Sequence, residues 1–187
     1  EPYNLTLENS GTRDSLCVSW NGGIGQRDDY VISLYEFGSN TALKQDVIGN
    51  QSTKYSFKNL ISGRKYTIAV YARADSYNST AANATEWTYP SKPINLTIEN
   101  NGSLETLSVS WSGSDGQRDD YVISLYELGS TAKMKEEVIG HQFTKHHFHK
   151  LTPGQSYSVE ILARAGPYNS SNAIGTGTTC KCEIGLL

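Results

Sequence analysis

The sequence predicts an all-β protein made of two tandem seven-stranded β-sandwiches. Three observations predict it: a long internal repeat, apolar alternation with period two, and turn residues at regular intervals. The repeat is plainest at GQRDDYVISLYE, which occupies residues 25–36 and returns unchanged at 116–127. A single shift of 91 positions, without gaps, lays Pro2 on Pro93, Trp20 on Trp111, Leu60 on Leu151, Gly63 on Gly154, Tyr66 on Tyr157 and Tyr77 on Tyr168. Solenoid units run to about 50 residues, so a period near 90 is long enough for each copy to close its own core. The 187 residues therefore divide as 1–89 and 90–180, with 181–187 left as an unassigned tail.

Within the first copy the strands follow in order. Leu5 to Leu7 is a short opening strand. Leu16, Val18 and Trp20 alternate with Cys17 and Ser19; Tyr30, Ile32 and Leu34 alternate with Val31 and Ser33. Ala42 to Ile48 and Thr53 to Phe57 are shorter candidates. Tyr66, Ile68 and Val70 alternate again, and Ala82 to Thr88 closes the set. In a strand successive side chains point to opposite faces, so each alternating run turns one face inward. No stretch keeps a helical period for three turns, and strands every 8 to 12 residues or so with Gly, Asn, Asp or Ser between them indicate an antiparallel, immunoglobulin-like sandwich. The expected core is Trp20, Tyr30, Leu60 and Tyr66, with Trp111, Tyr121, Leu151 and Tyr157 in the second copy. A large aromatic buries about 150–250 Å², several kcal/mol at roughly 25 cal/mol per Å², so neither copy requires a disulfide.

Composition narrows the function. A net charge of −3 offers no broad attraction for phosphate backbones, and no run approaches the roughly 20 apolar residues of a membrane-spanning helix. Nucleic acid and membrane insertion are thus not expected. The start EPYNLTLENS lacks the parts of a signal peptide and reads as a mature or excised soluble segment. Seven of the 13 asparagines open Asn-X-Ser/Thr triplets: Asn4, Asn50, Asn78, Asn83, Asn95, Asn101 and Asn169. Chance would give roughly three, and the excess points to an extracellular, glycosylated chain.

The landmarks together resemble the fibronectin type III family. They are a proline opening the first strand (Pro2, Pro93), a tryptophan closing the second (Trp20, Trp111), Tyr-X-Ile-X-Leu in the third, and LISGRKY at 60–66 or LTPGQSY at 151–157 before the sixth. The resemblance implies that Tyr66 and Tyr157 form a corner in which the hydroxyl bonds to nearby backbone. More narrowly, ENSGTRDSLCVSW and ENNGSLETLSVSW followed by DDYVISL are similar to repeats in the ectodomain of R3-subfamily receptor-type tyrosine phosphatases, of the vascular endothelial type. That implies a non-catalytic spacer and adhesion module of a single-pass cell-surface receptor, meeting protein ectodomains in cis or in trans. The phosphatase signature His-Cys-X5-Arg is absent, as are Arg-Gly-Asp, Trp-Ser-X-Trp-Ser and Gly-X-Ser-X-Gly. No catalytic residue and no cofactor are expected. Pro90 and Pro93 in TYPSKPI predict a short, stiff joint and an elongated rod, while the terminal CKCEIGLL resembles neither a linker nor another repeat.

Three constellations remain. Asp28 and Asp29, with Asp119 and Asp120, are adjacent carboxylates; calcium needs six to eight converging oxygens, so a solvated loop is expected there. All four histidines fall in HQFTKHHFHK, residues 141–150. Lys145, His147, His149 and Lys150 form a candidate patch for anionic groups such as sulfated glycans, the alternative reading to a spacer; zinc between His147 and His149 would lack a visible third ligand. Cys17 lies on the outward face of the second strand, and Cys180 and Cys182 are too close for an easy mutual bridge.

Overall fold

The computed structural model describes residues 1–113 and 115–181. The chain divides into two compact units, the first ending at Tyr89 and the second beginning at Pro90. Every regular element among the described residues is a strand.

The first unit contains β1 (Tyr3–Glu8), β2 (Leu16–Asn21), β3 (Asp29–Glu36), β4 (Ala42–Gly49), β5 (Lys54–Phe57), β6 (Lys65–Ala74), β7 (Tyr77–Asn78) and β8 (Ala82–Trp87). One sheet runs β1-β2-β5; the other runs β4-β3-β6, with β7 and β8 both paired to the far side of β6, and all pairings are antiparallel. The second unit repeats this as β9 (Ile94–Glu99), β10 (Leu107–Ser112), β11 (Asp120–Glu127), β12 (Lys133–Gly140), β13 (Lys145–Phe148), β14 (Ser156–Ala165), β15 (Tyr168–Asn169) and β16 (Ala173–Thr178). Its sheets are β9-β10-β13 and β12-β11-β14, again with two segments on the last strand.

The inward residues of the two sheets meet as the alternation demands. Leu16, Val18 and Trp20 of β2 face Tyr30, Ile32 and Leu34 of β3 and Tyr66, Ile68 and Val70 of β6, with Phe57 between the layers. Trp20 stands edge-on to Tyr30 with centroids 5.4 Å apart, and Trp111 repeats this on Tyr121 at 5.4 Å. Leu151 is buried, whereas Leu60 is only half buried and packs against the margin of its cluster. Leu60 belongs to the turn before β6, where its amide donates to the Asp14 carbonyl.

Period two understates the burial of β3. Val31 and Ser33, read as outward, are 3% and 0% exposed. They lie on a central strand between β4 and β6, where neighbouring side chains close over them; Gln45 of β4 donates to the Ser33 hydroxyl at 2.9 Å.

The loops DSYNSTAAN and GPYNSSNAI also carry more structure than a loop. Tyr77 and Asn78 pair with Ala74 and Arg73 as a two-residue extension of the hairpin. Between β7 and β8 the Ser79 hydroxyl accepts from the Ala72 amide at 3.0 Å while the Ser79 amide donates to the Ala72 carbonyl at 2.9 Å. One serine thus satisfies both backbone groups of Ala72 where the strand is interrupted, and Ser170 does the same for Ala163.

The corner implied by the resemblance is present in both units. Tyr66 Oη accepts from the Ile61 amide at 2.9 Å, and Tyr157 Oη accepts from the Thr152 amide at 2.9 Å. A buried threonine, unremarked in the sequence, completes each corner: Thr88 Oγ1 donates to the Ile61 carbonyl and accepts from the Arg64 amide, as Thr179 does with Thr152 and Gln155.

Candidate interaction surface

The duplicated carboxylates are structural. Asp29 accepts two hydrogen bonds from the guanidinium of Arg73, at 2.9 and 2.5 Å, and Asp120 accepts two from Arg164, both at 2.6 Å. Each pair joins opposed residues of neighbouring strands, and the carboxylate raises the pKa of both arginines. The preceding aspartates bind the tip of the same hairpin: Asp28 accepts from the Asp75 amide at 2.7 Å and Asp119 from the Gly166 amide at 2.8 Å. The expectation of a merely solvated loop is corrected here. Four carboxylates fasten two loops, and Arg73 and Arg164 were missed because the partners stand 44 residues apart.

The histidine segment forms the edge of the β9-β10-β13 sheet. Lys145, His147 and His149 are exposed on one face, and Phe148 is buried on the other. His147 Nδ1 lies 2.8 Å from the Ser108 hydroxyl and His149 Nδ1 3.4 Å from the Thr106 hydroxyl, so the neighbouring strand orients both rings. The rings are 6.1 Å apart and inclined by 26°. Lys150, also exposed, takes a left-handed backbone angle of 58° where the first unit has Asn59. A fifth cation escaped the sequence reading: Lys135 of β12 donates to the His149 carbonyl at 2.5 Å.

His146 turns inward and packs edge-on against Phe148 at 4.6 Å, with Nε2 3.6 Å from Glu137. Burial lowers its pKa below the ordinary imidazole value, Glu137 opposes that, and His147, His149 and Lys135 reinforce it. Among the described residues no three His, Cys, Asp or Glu side chains are grouped to hold a metal.

Six sequon asparagines, Asn4, Asn78, Asn83, Asn95, Asn101 and Asn169, are exposed. Asn4 and Asn95 adopt left-handed angles of 50° and 53° at the register shifts of β1 and β9, and Asn101 adopts 47° in a turn. Asn50 differs: it is half buried and its side-chain amide donates to the Arg27 carbonyl at 3.0 Å. Cys17 is half buried on β2, opposite Ser56, and Cys180 is also half buried with a free thiol. Cys182 and the rest of the tail lie outside the described residues.

Known proteins agree with this architecture. The sequence pattern of the fibronectin type III domain matches residues 1–88 and again 91–176. Receptor-type tyrosine-protein phosphatase V of Rattus norvegicus is 26% identical over 95% of this chain and 10% of its own length. Receptor-type tyrosine-protein phosphatase eta of Homo sapiens is 26% identical over 90% of this chain and 12% of its own, and Tenascin-R of Gallus gallus 27% identical over 95% and 13%. The chain therefore spans about a tenth of the length of these curated relatives. Among solved structures, a two-domain fibronectin type III segment from chicken tenascin superimposes with a TM-score of 0.76 at 21% identity, covering 95% of this chain and 99% of that one. Identity that low speaks for the fold alone, but the domain pattern covers nearly the whole sequence. The chain belongs to the fibronectin type III family and carries two of its domains in tandem.

Proposed function

We propose that the two domains are an extracellular spacer and adhesion module of a single-pass cell-surface receptor, of the receptor-type tyrosine phosphatase kind. Fibronectin type III domains are non-catalytic modules, so the contribution of this chain is to hold and present surfaces rather than to react. Its partners on this reading are the ectodomains of other proteins, met in cis or in trans.

The observation that carries the reading is the likeness to receptor-type tyrosine-protein phosphatase V, which extends over 95% of the chain and so embraces both domains and the join between them. The exposed sequon asparagines support an extracellular setting, since their side chains reach the surface and the amides of Asn83 and Asn95 make long contacts of 3.4 Å, to the Ala81 carbonyl and the Ser112 hydroxyl, outside the core. The Asn50 sequon is the exception, because its amide closes the loop at Arg27.

The test uses antibodies raised against this chain on intact cells treated with a membrane-impermeant biotin reagent. The expected result is precipitation of a biotinylated, membrane-anchored glycoprotein that releases phosphate from phosphotyrosine. Recovery only from the soluble matrix, without phosphatase activity, would overturn the receptor assignment.

A further inference from the structure

The outer face of the edge strand in each domain is cationic, and the two are built differently. In the first domain Lys54 and Lys58 are exposed at the positions of Lys145 and His149, and Lys44 donates to the Lys58 carbonyl at 2.5 Å as Lys135 does to that of His149. Ser56 stands where the second domain has His147. The first domain thus presents lysines alone, whereas the second has His149 in place of Lys58 and adds His147 in place of Ser56, side chains that gain a charge on protonation.

We propose that the outer face of β13 binds sulfate groups of an acidic polysaccharide, with Lys135, Lys145, His147, His149 and Lys150 as its cations, more tightly when the two exposed histidines are protonated. Alternate residues on a strand repeat every 6.5–7 Å or so, which sets cations in a row suited to an extended polymer bearing anions at intervals. Because the hydroxyls of Ser108 and Thr106 engage both Nδ1 atoms, the Nε2 atoms are left to face a ligand. One sulfate accepting charge-assisted bonds of about 2.7–2.9 Å from each ring bridges donors spaced like these.

Chelation of a metal ion would need further ligands, and among the described residues no three His, Cys, Asp or Glu side chains are grouped to supply them. A flat bilayer fits less well than a chain, because four of the five cations follow β13 and the residues just after it while the exposed Asn95 and Asn101 stand on the β9 side of the same sheet. The carboxylates nearby are peripheral. Glu99 pairs with Ser108 from β9, two strands from His147 and so about 10 Å away; Glu105 precedes β10; Glu137 stands on β12 of the other sheet, 3.6 Å from the inward-turned His146.

Binding of the full chain to immobilised heparin, at low salt and at about pH 8 and pH 5.5, tests the proposal. The expected gain at the lower pH is roughly ten-fold, two added charges contributing two- to five-fold each. Replacing His147→Ala with His149→Ala should remove that gain and leave binding at pH 8 unchanged. Lys145→Ala with Lys150→Ala should weaken binding at both values. His146→Tyr, which installs the residue of the first domain, should keep the gain and so separate the exposed histidines from the buried one. Affinity independent of pH, or a gain that survives loss of His147 and His149, would overturn the proposal. So would equal binding to hyaluronan, which has carboxylates and no sulfate, equal binding to phosphatidylserine vesicles, or loss of binding in EDTA.

Discussion

In the first domain Tyr55 of β5 donates to Asp46 of β4 at 2.5 Å, tying together the edges of the two sheets; in the second the same positions hold His146 and Glu137, 3.6 Å apart. The shapes are alike, since Tyr55 packs edge-on to Phe57 at 4.9 Å and His146 to Phe148 at 4.6 Å. Their response to protons is opposite. The hydrogen bond to Asp46, helped by burial, pushes the Tyr55 pKa up to about 12. Its stabilisation is therefore complete below the unfolded value near 10 and is lost as pH rises towards 12. Burial lowers the His146 pKa, so the unfolded chain takes up the proton first. That domain has its full stability above about pH 6.5 and loses it as pH falls through that value towards the lower native one. A shared skeleton can thus carry an edge indifferent to mild acid beside one that weakens in it.

The comparison is sharpest when a change is made at equivalent positions. The largest effect is expected at the tryptophans, which are 2% and 4% exposed. Trp20→Ala and Trp111→Ala should each cost about 3–5 kcal/mol through lost burial and the cavity left behind. Because each core is closed within its own unit, either substitution should lower one calorimetric transition and leave the other in place. A loss shared equally by both transitions would break the picture of two independently folded domains.

A smaller effect separates the domains at the tyrosine packed edge-on against each tryptophan. Arg118 donates to the Tyr121 hydroxyl at 2.7 Å, whereas Arg27 turns to the Gly23 and Asn50 carbonyls and the buried Tyr30 hydroxyl finds no partner among the described residues. Removing one member of a hydrogen bond costs about 1 kcal/mol, and removing a buried hydroxyl that has none is neutral or favourable. Tyr121→Phe should therefore destabilise the second domain by about 1 kcal/mol, and Tyr30→Phe should leave the first unchanged or slightly more stable. Urea midpoints of the separate domains measure the difference; equal losses would show the two hydroxyls to be equivalently paired.

The fold was legible because its determinants are local and repeated. Trp20, Ile32, Leu34 and Ile68 announce their faces by alternation, and the shift of 91 shows that the pattern closes twice. What escaped depends on contacts between distant residues. Nothing near Arg73 in sequence marks it as the partner of Asp29, although the recurrence of Ala-Arg-Ala at 72–74 and 163–165 was a signal that both halves hold something there. Ser79 could not be told from other loop serines, because its role is to replace a strand bond at Ala72. At the candidate surface the exposed row of Lys145, His147, His149 and Lys150 was readable from one strand. Lys135 was not, since it arrives from the other sheet.

The smallest effect is expected from exchanging the edge pairs. Tyr55→His with Asp46→Glu should give the first domain the acid sensitivity of the second, and His146→Tyr with Glu137→Asp should remove it there. The expected size is a few degrees in Tm between about pH 8 and pH 5, since about 1 kcal/mol moves a domain of this length by roughly 4–8 °C and a single half-shielded imidazole contributes less. Alkali gives the reciprocal test, because the first domain should lose with Tyr55 the instability that sets in as pH rises from 10 towards 12. His147 and His149 stay in place throughout and act as an internal control. Acid sensitivity that persisted in the second domain after the exchange would belong to the exposed pair or to the domain's overall charge, and the buried edge would then not be what distinguishes the two.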